Sequence, residues 1–134
     1  MDAQTARERV AGAPVGHLAT VTAEGRPHLV PCCFVLAGDW IYSAVDAKPK
    51  STASLRRLAN ITVTPAVALL VDHYDEDWSD LWWVRVDGTA QVFESGARRH
   101  DAIAALAGKY RQYRETPPPG PVIAVEVTGW RWWP

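Results

Sequence analysis

A chain of 134 residues has room for one hydrophobic core, and we read residues 1–134 as a single domain. Hydrophobic residues make up 48% and charged residues 22%, with 14 basic against 15 acidic side chains and a net charge of −1, the balance of an ordinary globular protein. That balance argues against a nucleic-acid or anionic-membrane binder, which needs a basic face, and the longest apolar run, Ala66 to Val71, is too short to span a bilayer. The first nine residues hold no apolar signal segment, so the expected location is cytoplasmic.

Along the chain, Thr5 to Ala11 fits a short amphipathic helix stopped by Gly12 and Pro14. His17 to Thr22 predicts a strand. Ala23-Glu24-Gly25-Arg26 predicts a turn with positive φ at the glycine, and Pro27 to Leu36 the returning strand. Ala37-Gly38-Asp39 turns the chain into a third strand, Asp39 to Ala44. A helix follows from Ser51 to Asn60, with Asn60 as its C-cap. Pro65 to Val71 is a nearly continuous apolar strand, Leu81 to Phe93 a long one with a candidate bulge at Gly88, and Ala97 to Tyr110 is helical in composition. After a stiff proline-rich connector, Val122 to Val127 is the last strand. Six strands with turn-type connections and short helices predict a mainly β (α+β) fold, a small antiparallel barrel.

The stretch Ala47-Lys48-Pro49-Lys50-Ser51-Thr52 breaks a local rule. It sets two lysines where a helix begins, at the positive end of the helix dipole. One reading leaves both lysines in water on a loop. The other makes lysines, hydroxyls and free amides a site for an anion such as phosphate.

The remaining motifs carry less chemistry. Cys32 and Cys33 are strand neighbours that face opposite ways, poorly placed to bridge each other or share a metal. No metal site is expected: the acidic run Asp72 to Asp80 resembles an EF-hand start, but Asp80 stands where that loop needs glycine and Val86 where it needs glutamate. The run is read as a solvated loop, and Arg56-Arg57 as a solvated helix face. The four histidines lie in no nucleophile motif, so any catalysis falls to a cofactor, and no catalytic side chain is assigned. Seven tryptophans favour an aromatic-walled cleft or a subunit interface.

The order of these pieces resembles a known superfamily: the hairpin His17 to Leu36, strand Ile41-Tyr42-Ser43, loop Lys48-Pro49-Lys50, helix, apolar strand, then Trp83-Val84-Arg85-Val86-Asp87-Gly88-Thr89-Ala90. It is similar to the split β-barrel flavin and deazaflavin oxidoreductases, the pyridoxamine-phosphate-oxidase-like proteins. Tyr42 to Lys50 and Asp72 to Trp78 resemble an actinobacterial branch that uses coenzyme F420. The resemblance implies a homodimer with cofactor sites in grooves between subunits, and hydride transfer to an unsaturated small molecule. It implies that Lys48, Lys50, Ser51 and Thr52 hold the cofactor phosphate, that Pro31, Cys32 and Cys33 lie along the ring, and that Trp83 forms an aromatic wall. FMN is the alternative cofactor, although flavin enzymes of this fold use arginine as well as lysine for the phosphate and this loop offers only lysines. A further alternative is a non-catalytic dimer that binds flavin, haem or a tetrapyrrole.

Overall fold

The computed structural model describes residues 1–45 and 52–134. Among the described residues the chain forms α1 (Ala3–Gly12), β1 (Gly16–Val21), β2 (Pro27–Cys32), β3 (Val35–Ala37), β4 (Trp40–Ala44), α2 (Thr52–Val63), β5 (Ala66–His73), a 3-10 turn (Trp78–Asp80), β6 (Trp82–Phe93), α3 (Ala97–Lys109), α4 (Arg111–Glu115) and β7 (Val122–Trp133). None of these helices is long and apolar enough to cross a membrane. The strands make one antiparallel sheet in the order β2-β1-β5-β6-β7-β4-β3.

That order explains the split barrel. The edge strands, β2 and β3, are consecutive in the chain and joined by only Cys33 and Phe34. The three Cα steps from Cys32 to Val35 span at most about 11 Å, so the sheet must curl until these strand ends lie close together. The seam is closed by the chain itself rather than by a strand ladder.

Here the six-strand expectation is corrected to seven. The run Pro27 to Leu36 breaks at Cys33-Phe34, because these residues spend their hydrogen bonds on side chains. The Cys33 carbonyl accepts from Ser43 Oγ at 2.9 Å, and Phe34 N–H donates to the Tyr110 hydroxyl at 3.0 Å. The last strand is also longer than expected. The strand runs on past Val127 through a bulge: Asp87 faces Gly129 and Gly88 faces Val127, leaving Thr128 as the extra residue. The irregularity expected at Gly88 is present, with the additional residue on β7. Gly88 itself is needed for close approach, since a Cβ there would lie 2.5 Å from Val125 Cγ1 and 2.6 Å from the Glu126 carbonyl. Gly25 and Gly38 take positive φ at the two predicted turns.

Asn60 is not a C-cap. It is buried inside α2 and its Nδ2 donates to Thr20 Oγ1 at 3.1 Å, so the helix continues to Val63 and stops before Pro65. Inward residues of β1, β5 and β6, such as Leu18, Leu69, Val71, Val84 and Val86, form the main core with Phe34 and Ile61. A second cluster lies under α3, where Leu106 and Ala102 meet Tyr42, Val122 and Ala124. Both faces of β7 are therefore buried from Val122 to Val125. Helix α1 covers tryptophans of the inner face: Arg9 lies 4.6 Å from the Trp82 ring, Arg7 lies 5.3 Å from that of Trp130, and Trp132 Nε1 donates to the Met1 carbonyl.

Candidate functional site

The end of β2 carries three of the expected site residues and divides them. Pro31 is exposed on the outer face, Cys32 turns inward, and Cys33 sits exposed at the corner. Burial pushes the Cys32 thiol up, against a smaller downward pull from the Arg57 guanidinium, so Cys32 stays a neutral thiol. Trp83 lies on the outer face, three strands in from the β2 edge, because directly paired residues of antiparallel strands share a face. Pro31, His17, Leu70 and Arg85 form one cross-strand row on that face, with Trp83 two residues along β6. Pro31 and Trp83 thus share a surface from which Cys32 is turned away. Lys48, Lys50 and Ser51 lie outside the described residues; Thr52 opens α2.

The sequence reading missed two cations. Arg57, expected to be solvated with Arg56, is only 8% exposed, whereas Arg56 is in water. Its Nε is buried without a hydrogen-bond partner, and it makes no ion pair among the described residues. The signal was present in the sequence: Arg57, Asn60 and Ile61 recur at helical spacing and all three are buried. A long cationic side chain on that face simply reads as solvent-exposed.

The second is Lys109, at the end of α3. Its ammonium donates to the Ala13 carbonyl at 2.6 Å and the Phe34 carbonyl at 2.9 Å, and lies 4.0 Å from the Phe34 ring centre. Burial lowers its pKa. The adjacent Tyr110 hydroxyl accepts from Phe34 N–H, and its single proton is shared between the Phe34 and Pro14 carbonyls, each 2.8 Å away. Burial pushes that phenol up to about 12. These two side chains satisfy the backbone that the break between β2 and β3 leaves without a ladder.

The acidic connection between β5 and β6 uses its carboxylates locally. Asp75 accepts from Asp77 N–H at 2.8 Å, and Asp77 from Ser79 N–H and Oγ at 3.1 and 2.7 Å, which fits the solvated-loop reading. Among the described residues no three His, Cys, Asp or Glu side chains converge as metal ligands.

Solved structures share this architecture. A conserved hypothetical protein of Mycobacterium tuberculosis aligns with 99% of this chain and 84% of its own at 19% identity and a TM-score of 0.78. The haem storage protein HutZ of Vibrio cholerae aligns with 96% and 92% at 15% identity and 0.74. An FAD-binding protein of Mycobacterium smegmatis aligns with 99% and 95% at 16% identity and 0.68. At these identities the likeness speaks for the fold alone. No curated protein matches the sequence. The family model described as pyridoxamine 5'-phosphate oxidase matches residues 3–134, nearly the full length, and the chain belongs to that family of split β-barrels.

Proposed function

We propose that the chain is a single-domain, homodimeric oxidoreductase that binds coenzyme F420 and transfers hydride to an unsaturated small molecule. The observation that supports it best is Arg57. A buried guanidinium is costly unless an anion completes it; this one pairs with no carboxylate among the described residues and lies one turn into the helix that follows the lysine pair. A phosphate held by Lys48, Lys50, Ser51 and Thr52, with Arg57 supplying further positive charge from within α2, meets that need. The bound deazaflavin would supply a hydride from one ring carbon. Pro31 and Cys33 offer a wall for a flat ring, and Trp83 an aromatic one across the same outer face. The inert thiol of Cys32 fits a role in packing rather than catalysis.

Dimerisation is proposed from the same face. Leu29 on β2 is 66% exposed, and Pro31, Ala19, Val21, Ala68 and Leu70 extend an apolar outer surface across three strands. Monomers seldom leave contiguous apolar patches beyond several hundred Å² in water. Light scattering is expected to give a dimer at micromolar concentration, and a monomer would remove the interfacial site.

FMN remains the second reading, and Arg57 favours it. The lysine-only loop spoke for the deazaflavin; a buried arginine beside it restores the lysine-plus-arginine pairing of the flavin enzymes. Titration with coenzyme F420, FMN and haem at moderate salt decides among the candidates. Tighter binding of FMN or yellow protein straight from the cell sinks the deazaflavin assignment, while a Soret band on adding haem favours a carrier such as HutZ is named to be.

A further inference from the structure

The outer face holds a second feature beside the proposed cofactor wall. A groove of about 610 Å³ lies over the ends of β5, β6 and β7, walled by Leu70, Asp72, Tyr74, Leu81, Trp83 and Trp133. Asp72, Trp83 and Trp133 form one cross-strand row, so two indoles stand side by side with a carboxylate next to them. Neighbouring strands are about 4.8 Å apart, so a bicyclic ring laid on Trp83 reaches the position beside it on either strand. Trp133 is 47% exposed despite its size.

The charges around the groove are unequal. Arg85 also lines it, but its Nε and Nη2 donate to the two oxygens of Asp87, at 2.9 and 3.2 Å. Arg131 is cross-strand to Arg85 and exposed, outside the walls. Asp72 is the one carboxylate among the walls, Asp87 is engaged by Arg85, and Arg9 lies over the Trp82 ring on the inner side. Asp72 makes no hydrogen bond or ion pair among the described residues, and His73 beside it is stacked on Trp82 with Asp75 4.0 Å from its Nε2. An anion is repelled here, whereas a cation over an indole face is attracted by both the ring and the carboxylate.

We infer that this groove binds a planar organic cation, an aromatic ring carrying a quaternary or protonated nitrogen. A second copy of the chain is a poorer occupant, because a concave groove facing its own image encloses a void instead of filling it. The groove shares Trp83 with the proposed cofactor wall and Leu70 with the proposed dimer surface, so the inference rests in part on that reading, while Asp72 and Trp133 lie outside it.

Three probes of one shape and different charge test it: N-methylquinolinium, 1-methylnaphthalene and 1-naphthoate, followed by quenching of tryptophan emission at low salt. The cation is expected to bind about tenfold more tightly than the neutral ring, and the anion weakest. Trp133→Ala should weaken the cation about tenfold, and Asp72→Asn should abolish the preference over the neutral ring, with circular dichroism unchanged in both. Equal binding of cation and neutral ring overturns the inference, as does a preference that survives Asp72→Asn. Indole emission indifferent to all three probes in a protein that scatters as a dimer overturns it too, in favour of a second copy over the groove.

Discussion

Lys109 and Arg57 are both cations withdrawn from water at the two flanks of the Cys32-Cys33 corner, yet their surroundings differ. Lys109 meets two main-chain carbonyls and an aromatic face, and its direct contacts are with the protein's own backbone. Arg57 is buried deeper, and its Nε finds no acceptor among the described residues. A satisfied buried cation is a structural part; an unsatisfied one is a stability cost that a ligand can relieve. The split barrel thus places a closing clamp on one side of its seam and, on the other, a buried guanidinium that the proposed anion site would complete.

The largest effect should come from the clamp. Lys109→Met leaves the Ala13 and Phe34 carbonyls without their charged donor, and the expected loss is about 3 kcal/mol in unfolding free energy, read from urea titration. Cofactor affinity extrapolated to fully folded protein should be unchanged. Were the variant as stable as the parent, the seam would not depend on Lys109 and the contrast with Arg57 would lapse.

Arg57→Met should behave in the opposite way. Removing a buried charge that finds no carboxylate among the described residues should leave stability unchanged or raised, while cofactor affinity falls by about 1.5–3 kcal/mol, roughly tenfold to a hundredfold. Lys50→Ala, and Lys48→Ala to a lesser degree, should lower affinity within the same range without unfolding the protein. Normal binding by the double lysine variant sinks the phosphate assignment. Loss with the lysine variants but not with Arg57→Met restricts the site to the loop.

Much of this frame was legible in the sequence, and the failures share one cause. Alternation and turn residues marked β1, β4, β5 and β6 and the turns at Gly25 and Gly38, because those signals are local. What they could not reveal was where tertiary partners replace local rules. The Cys33-Phe34 break depends on Ser43, Lys109 and Tyr110, the last two some 75 positions away in sequence. Asn60 reads as a helix end until Thr20 accepts its amide, and Val127 as the last strand's end until Gly88 accommodates the bulge beyond it. At the candidate site the lysines stood out because they violate helix electrostatics. Arg57 violates no local rule, only a burial rule that becomes visible when α2 packs on β1.

A smaller effect isolates the hydroxyl beside Lys109. Tyr110→Phe keeps the ring but leaves Phe34 N–H without its acceptor and Phe34 O and Pro14 O without that donor, at a cost of about 1–2 kcal/mol. Because Lys109 still reaches Phe34 O, the loss should be less than for Lys109→Met. A loss equal to or larger than that of Lys109→Met would make the hydroxyl, not the ammonium, the principal closure of the seam.

The smallest effect is the pH dependence of the same pair, and its two members pull in opposite directions. Burial lowers the pKa of Lys109 from 10.5, so as pH approaches that value the folded chain sheds this proton before the unfolded chain does. The unfolded state then binds more protons, and this group alone makes stability rise with pH. Tyr110 does the reverse: its phenol is pushed from 10.0 up to about 12, so between those values the unfolded chain is ionised while the folded one keeps its proton. Stability from Tyr110 is fully present below pH 10 and lost as pH climbs through about 12. The ring is partly open to water, so the loss is on the order of 1 kcal/mol once solvent screening is allowed for. Urea midpoints measured from pH 9 to 12 are expected to fall above pH 10 in the parent and to fall less in Tyr110→Phe, which has no phenol to ionise. Parallel curves for the two proteins would place the alkaline loss on other groups and remove Tyr110 from the account of the seam.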